Sequence, residues 1–292
     1  MSTQTPPPQP PPLRCVLLVV AAGSGTRLGA GMPKALVPLE DGRSILEHCL
    51  EGAARAHQGR RRAALSGAVV VVPADPAAAA ALEQVCAEVS ARHGIPVVTV
   101  PGGAERSDSV RAGLAACTQL PGASTEPATH VLVHDAARPF VPPPVYQRVE
   151  DALEAGVAAV VPALPVTDTV KTVTPWPHAA DPGDLRPVPA PHQVVGTPAR
   201  SALRAVQTPQ GFRLDALAAA HEQARRSGGD AAALTDDSML MEAAGHPVGV
   251  VEGDPESFKI TSALDLVLAG AVLRARSDRS SPAAPSPEGP TP

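Results

Sequence analysis

Residues 131–139, Val131-Leu132-Val133-His134-Asp135-Ala136-Ala137-Arg138-Pro139, decide how this chain is read. A short apolar run stops on an acid, two small residues follow, and Arg138 and Pro139 come next. Buried parallel strands read as brief continuous apolar runs. Ligands of open α/β sheets gather just beyond the carboxyl ends of such strands. Asp135 at such an end, with no bulky neighbour and an arginine three residues on, has the makings of a metal ligand beside a phosphate. An aspartate capping the next turn would look the same.

Working outward, the spacing predicts further strands over 14–20, 68–72, 96–100 and 157–161. Helices are expected between them. Ser44 and Glu47 form a capping-box pattern that starts one near Ile45. Another covers 75–92, with Pro76 at its first position. Two more cover 107–117 and 142–154, and 58–67 reads as a surface loop. Strand alternating with helix means an α/β fold, a mostly parallel sheet with helices on both faces.

The alternation then breaks. Val166-Thr167-Asp168-Thr169-Val170-Lys171-Thr172-Val173 alternates apolar and polar residues, as an exposed strand does. A proline-rich stretch, 175–191, follows, and Val194-Val195 reads as a returning strand. Together 166–200 reads as a projecting β-hairpin arm with a floppy tip, or alternatively as a disordered insertion. A two-stranded arm is marginal alone, so packing on a second copy, a homodimer, is expected. Beyond it come a helix over 214–226, a helix capped at Thr235-Asp236-Asp237 and ending at Gly245, strands over 248–252 and 258–261, and a last helix from Ser262 to about Arg276. The proline-rich 1–12 and the tail 276–292 are set outside a domain of 13–275.

Composition narrows the classes. The chain has 292 residues, enough for a substantial core, and a net charge of −5, which offers no basic surface for nucleic acid. The four cysteines, Cys15, Cys49, Cys86 and Cys117, have no metal-type spacing and read as core residues of a reduced, cytoplasmic protein. No apolar run is long enough for a membrane span.

Gly23 and Gly25 allow close backbone approach to a ligand, and such loops after a first strand cradle phosphates. The spacing matches neither the dinucleotide fingerprint nor a Walker loop. Arg27 and Lys34 follow closely, which points to neutralisation of a polyphosphate. Gly102-Gly103 and the stretch to Ser109 end the third strand and offer backbone groups and a hydroxyl to a base or ribose; Ser107 or Asp108 would also serve as an ordinary helix cap. Thr208 precedes Pro209 and is therefore biased to an extended conformation. His134 reads as a core histidine, and no cysteine–histidine cluster supports zinc.

The set Ala21-Ala22-Gly23-Ser24-Gly25-Thr26-Arg27, Pro33-Lys34, Gly102-Gly103, Asp108-Ser109-Val110, His134 to Pro139, Asp168-Thr169-Val170-Lys171, Thr208-Pro209-Gln210 and Phe258-Lys259-Ile260-Thr261 resembles the 2-C-methyl-D-erythritol 4-phosphate cytidylyltransferases. The resemblance runs in order from about residue 14 to 275. It implies a Rossmann-like sheet of the nucleotide-diphospho-sugar transferase type. The implied reaction joins CTP and methylerythritol phosphate with release of pyrophosphate, Mg²⁺ assisting. By the same resemblance Arg27, Lys34, Arg200 and Lys259 are catalytic, the last two gripping the methylerythritol phosphate. Ala21, Ala22, Gly23, Gly25, Gly103, Ser109 and Ala136 would bind the nucleotide, and Arg138, Asp168, Thr169 and Thr208 the second substrate. Asp135 would hold the metal, with Asp254, favoured over Glu256, as a second metal-facing acid. Departures are a longer, more proline-rich arm and the lack of an aromatic near Arg204. Ribitol-5-phosphate cytidylyltransferase, with the same chemistry, is the nearest alternative. A nucleotide-binding regulator without catalysis would be expected to lack Arg27, Lys34 or Lys259.

Overall fold

The computed structural model describes residues 13–23, 28, 31–58, 63–120, 127–175, 192–227 and 236–280. Four parallel strands form its first half: β1 (Leu13–Val20), β2 (Ala63–Val72), β3 (Val97–Pro101) and β4 (His130–Asp135). Helices α1 (Ile45–His57), α2 (Pro76–His93) and α3 (Arg106–Cys117) lie between them. Then come α4 (Pro143–Glu154), β5 (Ala159–Pro165), and the short pair β6 (Thr172–Pro175) and β7 (His192–Gly196). The chain closes with β8 (Arg204–Val206), β9 (Gln210–Arg213), α5 (Leu214–Arg226), α6 (Asp237–Ala243), β10 (Val248–Glu252) and α7 (Ala263–Ser280).

The main sheet runs β10-β5-β9-β4-β1-β2-β3, with β8 on β5. β1 is central, and Leu17 and Val19 pair with Leu132 and His134 of β4. From Cys15 to Val20 its residues are all apolar because both faces are covered. One face packs Leu46 and Leu50 of α1, Leu82 of α2 and Val149 of α4. The other packs Val110 and Leu114 of α3, Leu217 of α5 and Met241 of α6. Burying each such side chain contributes about 1.5–3 kcal/mol. A smaller cluster, Ile45, Phe140, Ile260 and Ala269, seats α7 against the end of the sheet.

β9 is the irregular element. It runs antiparallel between β4 and β5, pairing Leu132 with Gly211 on one side and Val160 with Gly211 on the other. The sequence pattern does not announce it, since four residues give too few positions for a period. β6 and β7 form a separate two-stranded antiparallel sheet, so the described part of the expected arm is a hairpin. Its expected tip, 176–191, lies outside the described residues, as do the tail 1–12 and Thr235.

Three boundaries differ from the sequence reading. The second half of the loop expected over 58–67 is strand: β2 begins at Ala63 and carries an irregularity opposite Cys15 and Leu17. Gly67 (φ +152°) permits this kink, and a Cβ there would sit 2.7 Å from the Pro96 carbonyl oxygen. The strand expected over 258–261 is irregular backbone after a 3₁₀ turn, Pro255–Ser257. The last helix continues through Arg276 to Ser280, where Arg276 Nη2 donates to Phe140 O at 2.8 Å.

A Cβ on Gly211 would lie 2.6 Å from Val149 Cγ1, 2.9 Å from Leu153 Cδ1 and 3.1 Å from Val160 Cγ1. All three side chains are buried. Gly211→Ala is therefore expected to lower stability by about 1–3 kcal/mol through overpacking, against a smaller entropic gain of about 0.4–1 kcal/mol from losing a glycine in the unfolded chain. Urea unfolding of the two proteins measures the difference.

Candidate active site

The carboxyl ends of β1 and β4 open side by side. Ala21 N is tied to Val71 O (2.9 Å) and Ala136 N to Val20 O (3.3 Å), so both chains leave the sheet in fixed directions. Between them and the start of α3 lies a cleft of about 510 Å³. Ala21, Ala22, Gly23, Gly103, Ser109 and Ala136, six of the expected nucleotide contacts, line it. Gly25 and Arg27 lie outside the described residues.

Gly103 bends the chain into α3. A Cβ there would come within 2.2 Å of Asp108 Cβ, so only glycine fits. Its N–H donates to Ser109 Oγ at 3.2 Å. The cap of α3 is Glu105 rather than Ser107 or Asp108; Asp108 completes a capping box by accepting from Glu105 N. That frees Ser109 to face the cleft.

Lys34, Asp135 and Lys259 meet in the cleft, with Arg138 behind them. Lys259 Nζ is 2.8 Å from Asp135 Oδ2, and Arg138 Nε is 3.7 Å from the same oxygen. Lys34 enters from a 3₁₀ turn, Lys34–Leu36, and its Nζ donates to Ile260 O at 2.7 Å. Ile260 N in turn donates to Ala137 O at 2.9 Å, which locks the Lys259 segment to the end of β4. Burial pushes the Asp135 carboxyl up, but Lys259, Arg138 and Arg106 outweigh it and leave the group below its ordinary value. Asp135 is thus an anion at neutral pH.

Thr208 and His134 sit behind this acid. Thr208 Oγ1 accepts from Asp135 N (3.1 Å) and lies 2.7 Å from His134 Nδ1. His134 Nε2 lies 3.2 Å from Arg138 O, a pure acceptor, so it carries the ring proton. Nδ1 then accepts from the Thr208 hydroxyl, so the donors of Asp135 N, Thr208 Oγ1 and His134 Nε2 are all used. Burial pushes His134 down to about 4, consistent with this neutral form.

The loop that delivers Lys259 is clamped three times. Gln207 gives its amide to both sides of Asp254, Nε2 to O (2.9 Å) and Oε1 from N (3.0 Å). Arg138 Nη1 donates to Ser257 O (2.7 Å), and Arg148 Nε to Glu252 O (2.7 Å). Arg138 thus acts behind the cleft rather than on its wall.

Other expected site residues are elsewhere. Asp254 does not line the cleft as a metal-facing acid would; its Oδ1 caps the Pro255–Ser257 turn by accepting from Glu256 N at 2.8 Å. Glu256 is no substitute, since it pairs with Arg276 at 2.6 Å. Among the described residues no group of three or more potential ligands forms a metal cage. Asp168, Thr169 and Arg200 are exposed at the base of the arm, where Arg200 Nη1 donates to Thr167 O at 2.7 Å. They are not part of the cleft of their own chain. Sequence reasoning missed Arg106 as a cleft residue and Gln207 as a clamp. The signal for Arg106 was its place between Gly103 and Ser109; Gln207 gave none.

The family model described as 2-C-methyl-D-erythritol 4-phosphate cytidylyltransferase matches residues 15–275. The chain belongs to the 2-C-methyl-D-erythritol 4-phosphate cytidylyltransferase family. Similar relatives carry that family's name. One from Streptomyces avermitilis is 44% identical, covering 92% of this chain and 95% of its own. One from Saccharopolyspora erythraea is 45% identical, covering 88% and 98%. Among solved structures, the cytidylyltransferase of that name from Thermus thermophilus superposes with a TM-score of 0.59 at 35% identity, covering 88% of this chain and 98% of its own. The mostly parallel sheet is therefore that of the nucleotide-diphospho-sugar transferases.

In the unfolded chain His134 takes a proton near its ordinary 6.5, and in the folded family member only near 4. Between those values the unfolded state binds more protons. Stability is therefore expected to fall as pH is lowered from about 6.5 to about 4, by roughly 3 kcal/mol in all. Urea midpoints across this range measure it, and His134→Gln should flatten the curve.

Proposed function

We propose that this chain transfers the cytidylyl group of CTP to 2-C-methyl-D-erythritol 4-phosphate, giving 4-diphosphocytidyl-2-C-methyl-D-erythritol and pyrophosphate in non-mevalonate isoprenoid synthesis. The observation that carries it is the partly buried, ionised Asp135, paired with Lys259 and sharing with Lys34 a cleft floored by small residues, in a chain whose family match runs nearly end to end. The names of the relatives favour methylerythritol over ribitol phosphate as acceptor.

In this reaction an oxygen of the acceptor's phosphate attacks the α-phosphorus of CTP, and the bond to the pyrophosphate oxygen breaks. Negative charge grows on the α-phosphate and the leaving group. Fixed cations aimed at that charge are the largest contribution a protein can make. Lys34 and Lys259 fill that role, with Arg27 supplied by the segment after Gly23. Neither lysine has to move far, because Ile260 O holds one and Asp135 the other. Ala136 and Ala137 leave room for the nucleotide, while Ser109 Oγ, which accepts from Gly103 N–H, still has its hydroxyl proton to offer base or ribose.

Asp135 suits Mg²⁺, a hard ion that takes one or two carboxylates and completes its shell with substrate phosphates and water. The ion would supply charge neutralisation on the phosphates. The chain's own part is to keep Asp135 ionised and immobile through Thr208, Arg138 and Lys259.

The acceptor side is assigned to the arm. Arg200, Thr169 and Asp168 project from its base, and Val173, Val194 and Val195 are more than half exposed on it. Pairing of arms in a homodimer would cover those valines and let the arm residues of one copy serve the cleft of the other, positioning the acceptor phosphate in line. Light scattering at micromolar concentration should give a dimer, and a monomer would refute the arm pairing. A cytoplasmic setting accords with four free, buried cysteines.

The deciding experiment is pyrophosphate release with CTP, Mg²⁺ and methylerythritol phosphate. Lys34→Ala and Lys259→Ala are each expected to lower kcat/KM by at least a hundredfold, about 3 kcal/mol of barrier. Turnover with ribitol phosphate alone would sink the assignment.

A further inference from the structure

Arg106 is the first residue of α3 and lines the cleft beside Gly103 and Ser109. Nothing in the reaction scheme above uses it. Its Nη2 lies 2.8 Å from Asp237 Oδ2. Asp237, at the start of α6, has no exposed surface, and its other oxygen is 3.0 Å from the buried His221 Nε2 of α5. Burial pushes the Asp237 carboxyl up, but His221 and Arg106 bring it below its ordinary value. A fully buried carboxylate is costly unless paired and hydrogen-bonded. Here it has a partner on each oxygen.

The pair does not use up the arginine. A guanidinium carries five N–H donors in a flat fork, more than Asp237 can take up, and its closest contact there is Nη2 to Oδ2. Among the described residues it makes no other hydrogen bond, and about a third of the side chain (35%) remains exposed on the cleft side. Its charge also reaches Asp135, whose carboxyl it helps to hold down. A neutralising partner alone would have no reason to stand on the wall of the cleft. The same 2.8 Å contact is an ion pair rather than an aligned hydrogen bond, for Asp237 Oδ2 lacks a donor in hydrogen-bond geometry.

We propose that Arg106 is a nucleotide-binding residue, held on the cleft wall by the Asp237–His221 pair and gripping CTP with the donors that Asp237 leaves over. Asp237 and His221 act as positioning residues through it. The proposal rests on the cytidylyltransferase reading for the identity of the ligand. It gives α5 and α6, which do not line the cleft, a hold on nucleotide affinity.

The test is CTP binding by calorimetry to the full chain, with KM for each substrate measured alongside. Arg106→Lys is the decisive variant. It leaves Asp237 with a cation, so the fold is kept, but a single ammonium cannot serve a buried carboxylate and a ligand together. CTP affinity should fall tenfold or more, while KM for methylerythritol phosphate stays within twofold and the melting temperature is little changed. Asp237→Asn should weaken CTP binding in the same direction. Arg106→Lys binding CTP within twofold of wild type overturns the proposal. Wild type that binds CTP but does not turn over methylerythritol phosphate would overturn the assigned reaction and leave the Arg106 comparison readable. Wild type that binds no CTP would overturn both.

Discussion

The contact on which the rest of this structure depends is the ion pair between Asp135 and Lys259, 2.8 Å apart at the end of a buried strand. A carboxylate there loses most of its hydration, and an unpaired one would take up a proton or destabilise the fold. Most of the surrounding architecture can be read as meeting that cost. The hydroxyl of Thr208 takes up the backbone N–H of Asp135, His134 stays neutral and orients that hydroxyl, and Arg138 adds charge from behind. Lys259 reaches the acid only because Gln207, Arg138 and Arg148 bind the backbone of its loop. An irregular segment held this way is as well placed as a strand, though it follows no period.

The electrostatics of the chain are local rather than global. Its net charge is −5, yet Lys34, Lys259 and Arg106 all face one cleft. Low-dielectric walls focus the field of such a group. A triphosphate is attracted there without any need for a basic surface.

Much of this was legible in the sequence, and the exceptions share a cause. α5 and β10 fall where their periodicity puts them, at Leu214–Arg226 and Val248–Glu252. The cleft residues Gly23, Lys34, Gly103, Ser109 and Asp135 could be picked out because glycines and charges at strand ends break an apolar pattern. β8 and β9 could not, for strands of three and four residues carry no readable period. The start of β2 was hidden by Gly67 and the nearby arginines, which read as a loop. The sequence favours Asp254 over Glu256, which lies beside an expected strand start. Only tertiary structure separates a turn cap from an arginine partner, and neither joins the cleft. Arg106 was passed over because a helix start explains an isolated polar residue well enough, and its partner Asp237 lies more than a hundred residues away.

The antiparallel β9 has a consequence for how the chain is made. β5 and β10 meet the other parallel strands only through it. While the protein emerges from the ribosome, β4 and β5 therefore exist before the strand that belongs between them, and each carries an open edge until Gln210–Arg213 is available. Contacts so distant in sequence form late, and open edges invite wrong partners. Both edges stay open over the interval in which the arm is being synthesised. Lengthening the arm would prolong that interval without touching the finished cleft.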